Sequence, residues 1–168
     1  MGPGLLEWGV KESFRRYVAA LPDGCCDVSS EIALPGGGRY GFPLIEVEAA
    51  PAAVLRFIGG VLFRGHGGLL HVPLVEPWLH RHGDRWVMTV AVGTGPDKRA
   101  EIAAGAVSAA GDGEVLLDLR VSGVGSSVFG GNYPVGTELD RARLRLAPTT
   151  AEELADTFIP ADATSTTS

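Results

Sequence analysis

The stretch Glu114-Val-Leu-Leu-Asp-Leu-Arg-Val121 decides the class of fold. Val115, Leu117, Leu119 and Val121 fall on one side of an extended chain, and Asp118 and Arg120 on the other. That alternation describes a strand with one face in a core and one in water, the habit of antiparallel sheets. Downstream, residues 140–146 repeat it, with Arg141, Arg143 and Arg145 set against Ala142, Leu144 and Leu146. Upstream, residues 26–34, 40–48, 53–64, 69–74 and 85–92 read as further strands, and Gly59-Gly60 implies a bend or bulge in the third of these. Residues 99–110 fit helix or strand, with strand favoured. The 168 residues include 24 glycines and 11 prolines, which limits helix and favours many short strands joined by turns.

One helix is expected before this body. Leu6, Val10, Phe14, Tyr17 and Leu21 recur at spacings of four, four, three and four, so the segment Leu5–Leu21 reads as helical. Pro22-Asp23-Gly24 stops it. Residues 151–158 suggest a short terminal helix, followed by a frayed tail. The expectation is one mainly β domain over residues 1–150, with a short helix and flexible tail over 151–168. The architecture expected is an antiparallel β-sandwich or flattened barrel with an N-terminal α-helix at its edge.

Composition removes several functions. With 45% hydrophobic and 20% charged residues the chain can build a core. A net charge of −6 makes nucleic acid and anionic membranes poor partners. No apolar run is long enough for a membrane-spanning helix. The N-terminus lacks the basic and apolar regions of a secretory signal, so the expected address is cytoplasmic, or secreted or cell-surface if a leader has been removed. Cys25 and Cys26 are adjacent and read as partly buried strand residues rather than a disulfide. No Walker loop or nucleophile elbow occurs, and Gly123-Val-Gly125 lacks the third glycine of a dinucleotide fingerprint. His80 and His82 would share a strand face, and with His71 they raise a zinc reading. They lack the further ligands that zinc needs.

Tyr17, His66 and Tyr133 remain. Tyr17 lies near the end of the expected helix, with Ser13 one turn away. His66 sits in Phe63-Arg-Gly-His-Gly-Gly68, where small neighbours leave room for a flat ligand or a backbone. Tyr133 sits in Phe129-Gly-Gly-Asn-Tyr-Pro-Val-Gly-Thr-Glu-Leu-Asp140. Taken singly, Tyr17 reads first as a core aromatic, His66 as a turn histidine and Tyr133 as a loop residue.

Trp8-Gly-Val-Lys-Glu-Ser-Phe-Arg-Arg-Tyr-Val18 resembles the opening motif of the HtaA-type haem-binding domain of Gram-positive haem-uptake proteins. Gly60–Leu69, the strand pair around Leu74–Val90 and Gly131–Asp140 follow in the matching order. The resemblance covers residues 5–147. It implies that the helix edges a haem pocket, with Tyr17 as axial ligand to the iron and His66 hydrogen-bonded to the Tyr17 oxygen. It also implies that Ser13 and Tyr133 help to hold the haem, here haem b (iron protoporphyrin IX). Arg15 or Arg16, near the helix end, is a candidate partner for the propionates, against the plainer reading of a solvated arginine. Asn132 stands where the family often has an aromatic residue, which implies a more open or polar haem face.

The chemistry suits that implication. A phenol with a pKa near 10 is a poor ligand at neutral pH unless a hard cation favours the phenolate and a neighbouring imidazole takes or shares its proton. The expected function is capture and transfer of ferric haem through a tyrosinate ligand. The alternative is an intracellular haem-dependent enzyme working on peroxide or on oxygen and nitrogen substrates. A third reading is an interaction module without cofactor. Expected partners are haem, a haem donor or acceptor protein or a small-molecule substrate, and a second copy of the chain.

Overall fold

The alternating strand at residues 114–121 lies inside an antiparallel barrel. A computed structural model describes residues 2–95 and 97–158. The elements run β1 (Gly4–Trp8), α1 (Glu12–Ala20), β2 (Cys25–Val28), β3 (Ala33–Gly36), β4 (Arg39–Glu48), β5 (Val54–Phe57), β6 (Gly60–Gly65), β7 (Leu70–Val75), β8 (Trp78–His82), β9 (Arg85–Ala91), β10 (Arg99–Gly111), β11 (Glu114–Val121), α2 (Gly125–Val128), β12 (Ala142–Leu146), α3 (Pro148–Glu153) and α4 (Ala155–Phe158). The sheet order is β1-β12-β11-β10-β9-β8-β5-β4, and a pairing of β1 with β4 closes the ring. Strand β3 extends it beyond β4, and β2-β6-β7 form a separate sheet. Closure removes the free edges that an open sheet would expose.

The expected faces hold along β11. Val115, Leu117, Leu119 and Val121 are buried, and Asp118 and Arg120 are exposed. Asp118 meets Arg141 at 2.7 Å on the outer surface. Leu6, Trp8, Phe42, Leu55, Leu79 and Met88 join the same core. Outside the ring, Trp78 is stacked between the guanidinium groups of Arg99, at 3.8 Å, and Arg56, at 4.5 Å.

The expected helix over Leu5–Leu21 divides into a strand and a helix. Leu6 and Trp8 point into the core, a period of two, while the chain pairs with β4 and β12 at once. Val10 then takes a left-handed backbone at φ 67°, which separates the two elements. Helix α1 starts at Glu12 because a cap arrives from far along the chain. Asp140 Oδ1 accepts the Glu12 N–H at 3.1 Å, and Asp140 Oδ2 accepts from Arg15 at 2.8 Å.

Two expected strands also divide. Residues 26–34 become β2 and β3, with the chain turning at Ser29, whose N–H reaches the Gly60 carbonyl. Residues 53–64 become β5 in the barrel and β6 in the second sheet. The break falls at Gly59, with φ 105°, where a Cβ would lie 2.5 Å from Ile32 Cδ1. Strand β8 adds to the expected set. Residues 99–110 are strand, and the terminal helix forms as α3 and α4 from Pro148 onward. The expected tail beyond residue 158 lies outside the described residues.

Gly105 faces Leu119 across the β10–β11 pair, and a Cβ there would overlap the Asp118 carbonyl. Gly105→Ala is therefore expected to cost about 3 kcal/mol, seen as a lower urea midpoint at unchanged m-value. Ser108→Ala, at an exposed position of the same strand, is expected to stay within about 0.5 kcal/mol. Asp140→Ala removes the α1 cap and the Arg15 partner, with an expected loss of about 1–2 kcal/mol in the same measurement.

Candidate functional site

Phe14 and Val18 dock α1 on β2 and β6, at 1% and 3% exposure. Tyr17 stands between them in sequence but on the flank of the helix, and it keeps 41% of its surface exposed. Its hydroxyl forms a short hydrogen bond with Nε2 of His66, and the rings sit 5.8 Å apart. Forty-nine residues separate the two in the chain.

His66 opens a tight turn at the end of β6. Its φ is 51°, and Gly67 and Gly68 follow at 61° and 98°. Glycine carries the left-handed backbone at the two later positions, whereas His66 holds it as a non-glycine residue and needs support. Asp23 supplies that support from the loop after α1. Its Oδ1 accepts the His66 N–H at 3.1 Å and its Oδ2 accepts the Gly67 N–H at 2.7 Å. Those backbone donors, Gly67 first, hold the Asp23 carboxyl below its ordinary pKa.

The loop after α2 packs on α1 through its aromatic residues. Phe129 is buried and Tyr133 half-buried, and Gly130 and Gly131 take left-handed backbone. Phe14 joins this loop to the rest, with ring centroids 5.0 Å from Phe63, 5.9 Å from Phe129 and 6.1 Å from Tyr133. Lys11 Nζ lies 5.7 Å from the Tyr133 ring centre and donates to the Glu138 carbonyl at 2.8 Å. A Cβ on Gly130 would be 3.7 Å from Leu70 Cδ1, so the loop reaches the start of β7. There Leu69 is 92% exposed.

Tyr17 and His66 thus meet directly, and Tyr133 reaches the helix of Tyr17 through Phe14. Ser13 is exposed one turn before Tyr17, and Asn132 is exposed on the loop. Arg16 is turned toward Glu12, at 2.8 Å. Sequence reading found Asp23 only as a helix stop and passed over Lys11 and the Phe14–Phe63–Phe129 cluster. Pro22-Asp23-Gly24 was the available signal for Asp23, because aspartate in such a turn often caps nearby N–H groups.

The other candidates lie elsewhere. His80 Nε2 bonds Thr89 Oγ1 at 2.9 Å, and burial pushes the His80 pKa down. Among the described residues no group of three or more His, Cys, Asp or Glu is arranged to hold a metal ion. Both cysteines are free thiols on β2. Cys26 is exposed rather than partly buried, with its sulfur 3.3 Å from the Tyr40 hydroxyl. A cleft of about 520 Å³ opens at the Gly60 end of β6, away from His66, with Val28, Ile45 and Val75 in its lining. No described helix is long and apolar enough to cross a membrane.

A phenol hydrogen-bonded to an imidazole can pass its proton to the ring nitrogen.

Comparisons with known proteins bear on what that pair serves. The Htaa (HtaA) family model matches residues 3–145. The C-terminal domain of HtaA from Corynebacterium glutamicum superposes with a TM-score of 0.69 at 21% identity, covering 85% of this chain and 94% of that one. The haem-binding protein HtaB from the same organism gives 0.70 at 20% identity, covering 86% and 92%. The N-terminal domain of HtaA gives 0.65 at 21%, covering 87% and 98%. At these identities the likeness is one of fold. Comparison with curated proteins gives no match. Because the family model spans most of the chain, from β1 into β12, this protein belongs to the HtaA family.

Proposed function

We propose that this protein binds ferric haem b on the face bordered by Tyr17, His66, Leu69 and Tyr133, and passes it to an acceptor protein. The observation that carries the reading is the Tyr17–His66 hydrogen bond at an exposed position. The structurally similar HtaB is described as haem-binding, which supports the same ligand class here.

The residues present fit the group. Haem needs a ligand atom for iron, an apolar surface for the ring and polar groups for its carboxylates. Tyr17 Oη is the ligand atom proposed, and tyrosine is an established haem ligand. Leu69 and the Tyr133 edge offer apolar surface. Ser13, Asn132 and the Tyr133 hydroxyl offer polar groups toward the propionates. Arg16 can serve there only by leaving Glu12.

Bound ferric haem supplies a hard Lewis-acid centre that favours an anionic oxygen. His66 Nε2 accepts the phenolic proton as Tyr17 ionises, and the resulting N–H donates back to the phenolate oxygen. The proton therefore stays within the pair, and the imidazole fixes the phenol ring. The Asp23 clasp holds the turn that aims Nε2. Exposure of Tyr17 and Leu69 leaves one side of the site open, which suits hand-over to a partner more than sealed storage.

Haemin titration of the apo protein is expected to give a saturable Soret band with a tyrosinate charge-transfer band. Tyr17→Phe removes only the hydroxyl and is expected to weaken binding by at least tenfold and to abolish the charge-transfer band. A variant that binds as wild type with the same spectrum overturns the ligand assignment. His66→Ala is expected to keep tyrosinate ligation, to weaken haem binding by about 10–100-fold and to shift that band. Mixed with apomyoglobin, the loaded protein is expected to give up its haem, read in the Soret region. Haem retained there, with peroxide turnover above free haemin, would point to catalysis in place of transfer.

A further inference from the structure

We infer that Asp23 is the positioning residue of the Tyr17–His66 pair, a clasp that ties the end of α1 to the His66 turn. The inference rests on the haem reading for its consequence but not for its geometry.

Three observations converge on Asp23. First, its two carboxylate oxygens divide between two consecutive N–H groups, those of His66 and Gly67. Second, His66 holds a left-handed backbone, φ 51°, which is uncommon for a residue with a Cβ and gains from hydrogen bonds that hold it. Third, Asp23 stands directly after α1, whose last turn closes on the Leu21 N–H and the Val18 carbonyl. One carboxylate therefore spans from the element that carries the phenol to the element that carries the imidazole. Gly65, the last residue of β6, packs on the same helix end, since a Cβ there would meet Leu21 Cδ1 at 2.6 Å. The turn is pressed against the same helix end that the carboxylate grips.

The geometry separates Asp23 from an ordinary turn residue. Its hydrogen bonds go to the His66 and Gly67 backbone and not to the hydroxyl or the imidazole, and its charge acts on the His66 ring only through space. A neutral acceptor offers weaker hydrogen bonds than a carboxylate to these N–H groups. Loss of the clasp frees the His66 turn to relax toward an unstrained backbone and draws Nε2 away from Tyr17 Oη. In the haem-loaded protein the ligand would lose its imidazole partner while the ligand atom itself stays in place.

The test uses Asp23→Ala and Asp23→Asn, with Tyr17→Phe for reference, on the full chain. In the apo protein, amide exchange at His66 and Gly67 and the His66 ring resonances are followed by NMR. Asp23→Ala is expected to speed exchange at both amides by at least tenfold and to move the ring resonances to their positions in Tyr17→Phe. Asp23→Asn, which keeps one oxygen at the same reach, is expected to recover part of both effects. Unchanged amides and ring signals in a folded Asp23→Ala protein overturn the clasp. If Asp23→Ala does not fold, the same readouts on Asp23→Asn decide the matter.

With haemin, Asp23→Ala is expected to retain tyrosinate ligation, to shift the charge-transfer band as His66→Ala does, and to release haem about tenfold faster. A perturbed apo pair with wild-type spectrum and release rate overturns the role of Asp23 at the haem site. Wild-type protein that takes up no haemin defeats the functional reading instead, and the clasp is then judged on the apo measurements alone.

Discussion

Strand β1 runs between β12 and β4, two strands of one sheet that no other described pairing joins directly to each other. On one side Gly4–Glu7 pair with Leu146–Arg143 of β12, and on the other Leu5–Trp8 pair with Pro43–Tyr40 of β4. Without that double pairing the barrel is an open, twisted sheet with two exposed edges. The strand also carries core residues, since Leu6 and Trp8 are buried at 0% and 1% exposure. Trp8 is secured further by its indole N–H, which donates to the Asp140 carbonyl at 2.9 Å.

Closure at β1 also sets the site. The chain leaves β1 at Trp8, turns through Val10 and enters α1 under the cap from Asp140. The start of the helix is thus pinned to the segment that leads into β12, and its end is joined to the His66 turn through Asp23. Helix α1 is held at both ends by carboxylates acting on backbone N–H groups. Tyr17 is placed by that suspension together with the Phe14 and Val18 anchors. A phenol on a rigid helix and an imidazole on a strained turn meet at short range because each is fixed from behind.

Much of the fold was legible in the chain because strand periodicity is local. Residues 114–121 and 142–146 alternate strictly and became strands with the expected faces, and residues 40–48 became a strand whose register shifts after Leu44. Residues 5–21 misled for a physical reason. Leu6, Val10, Phe14 and Tyr17 have helical spacing, yet Leu6 and Trp8 also fit a period of two, and only the presence of β4 and β12 decides between them. Nothing near Lys11 announces the cap that Asp140 supplies from 128 residues away. The divided strands at Ser29 and Gly59 have the same origin, since each break answers contact between distant segments. At the site, Tyr17, His66 and Tyr133 could be singled out by resemblance, but single-residue patterns left each one ambiguous.

What the sequence determined by itself is therefore the chemistry on offer and the local periodicities. It specified a mainly β chain with an N-terminal helix, a tyrosine on that helix, a histidine in a glycine-flanked turn and an excess of negative charge. Tertiary structure alone decided where the barrel closes, where α1 begins and which groups support the pair. Alternation and helical spacing depend on neighbours a few residues away, so a single chain displays them. The caps, the ring closure and the Asp23 clasp join groups from distant parts of the chain, and such bonds exist only once packing has excluded the other arrangements.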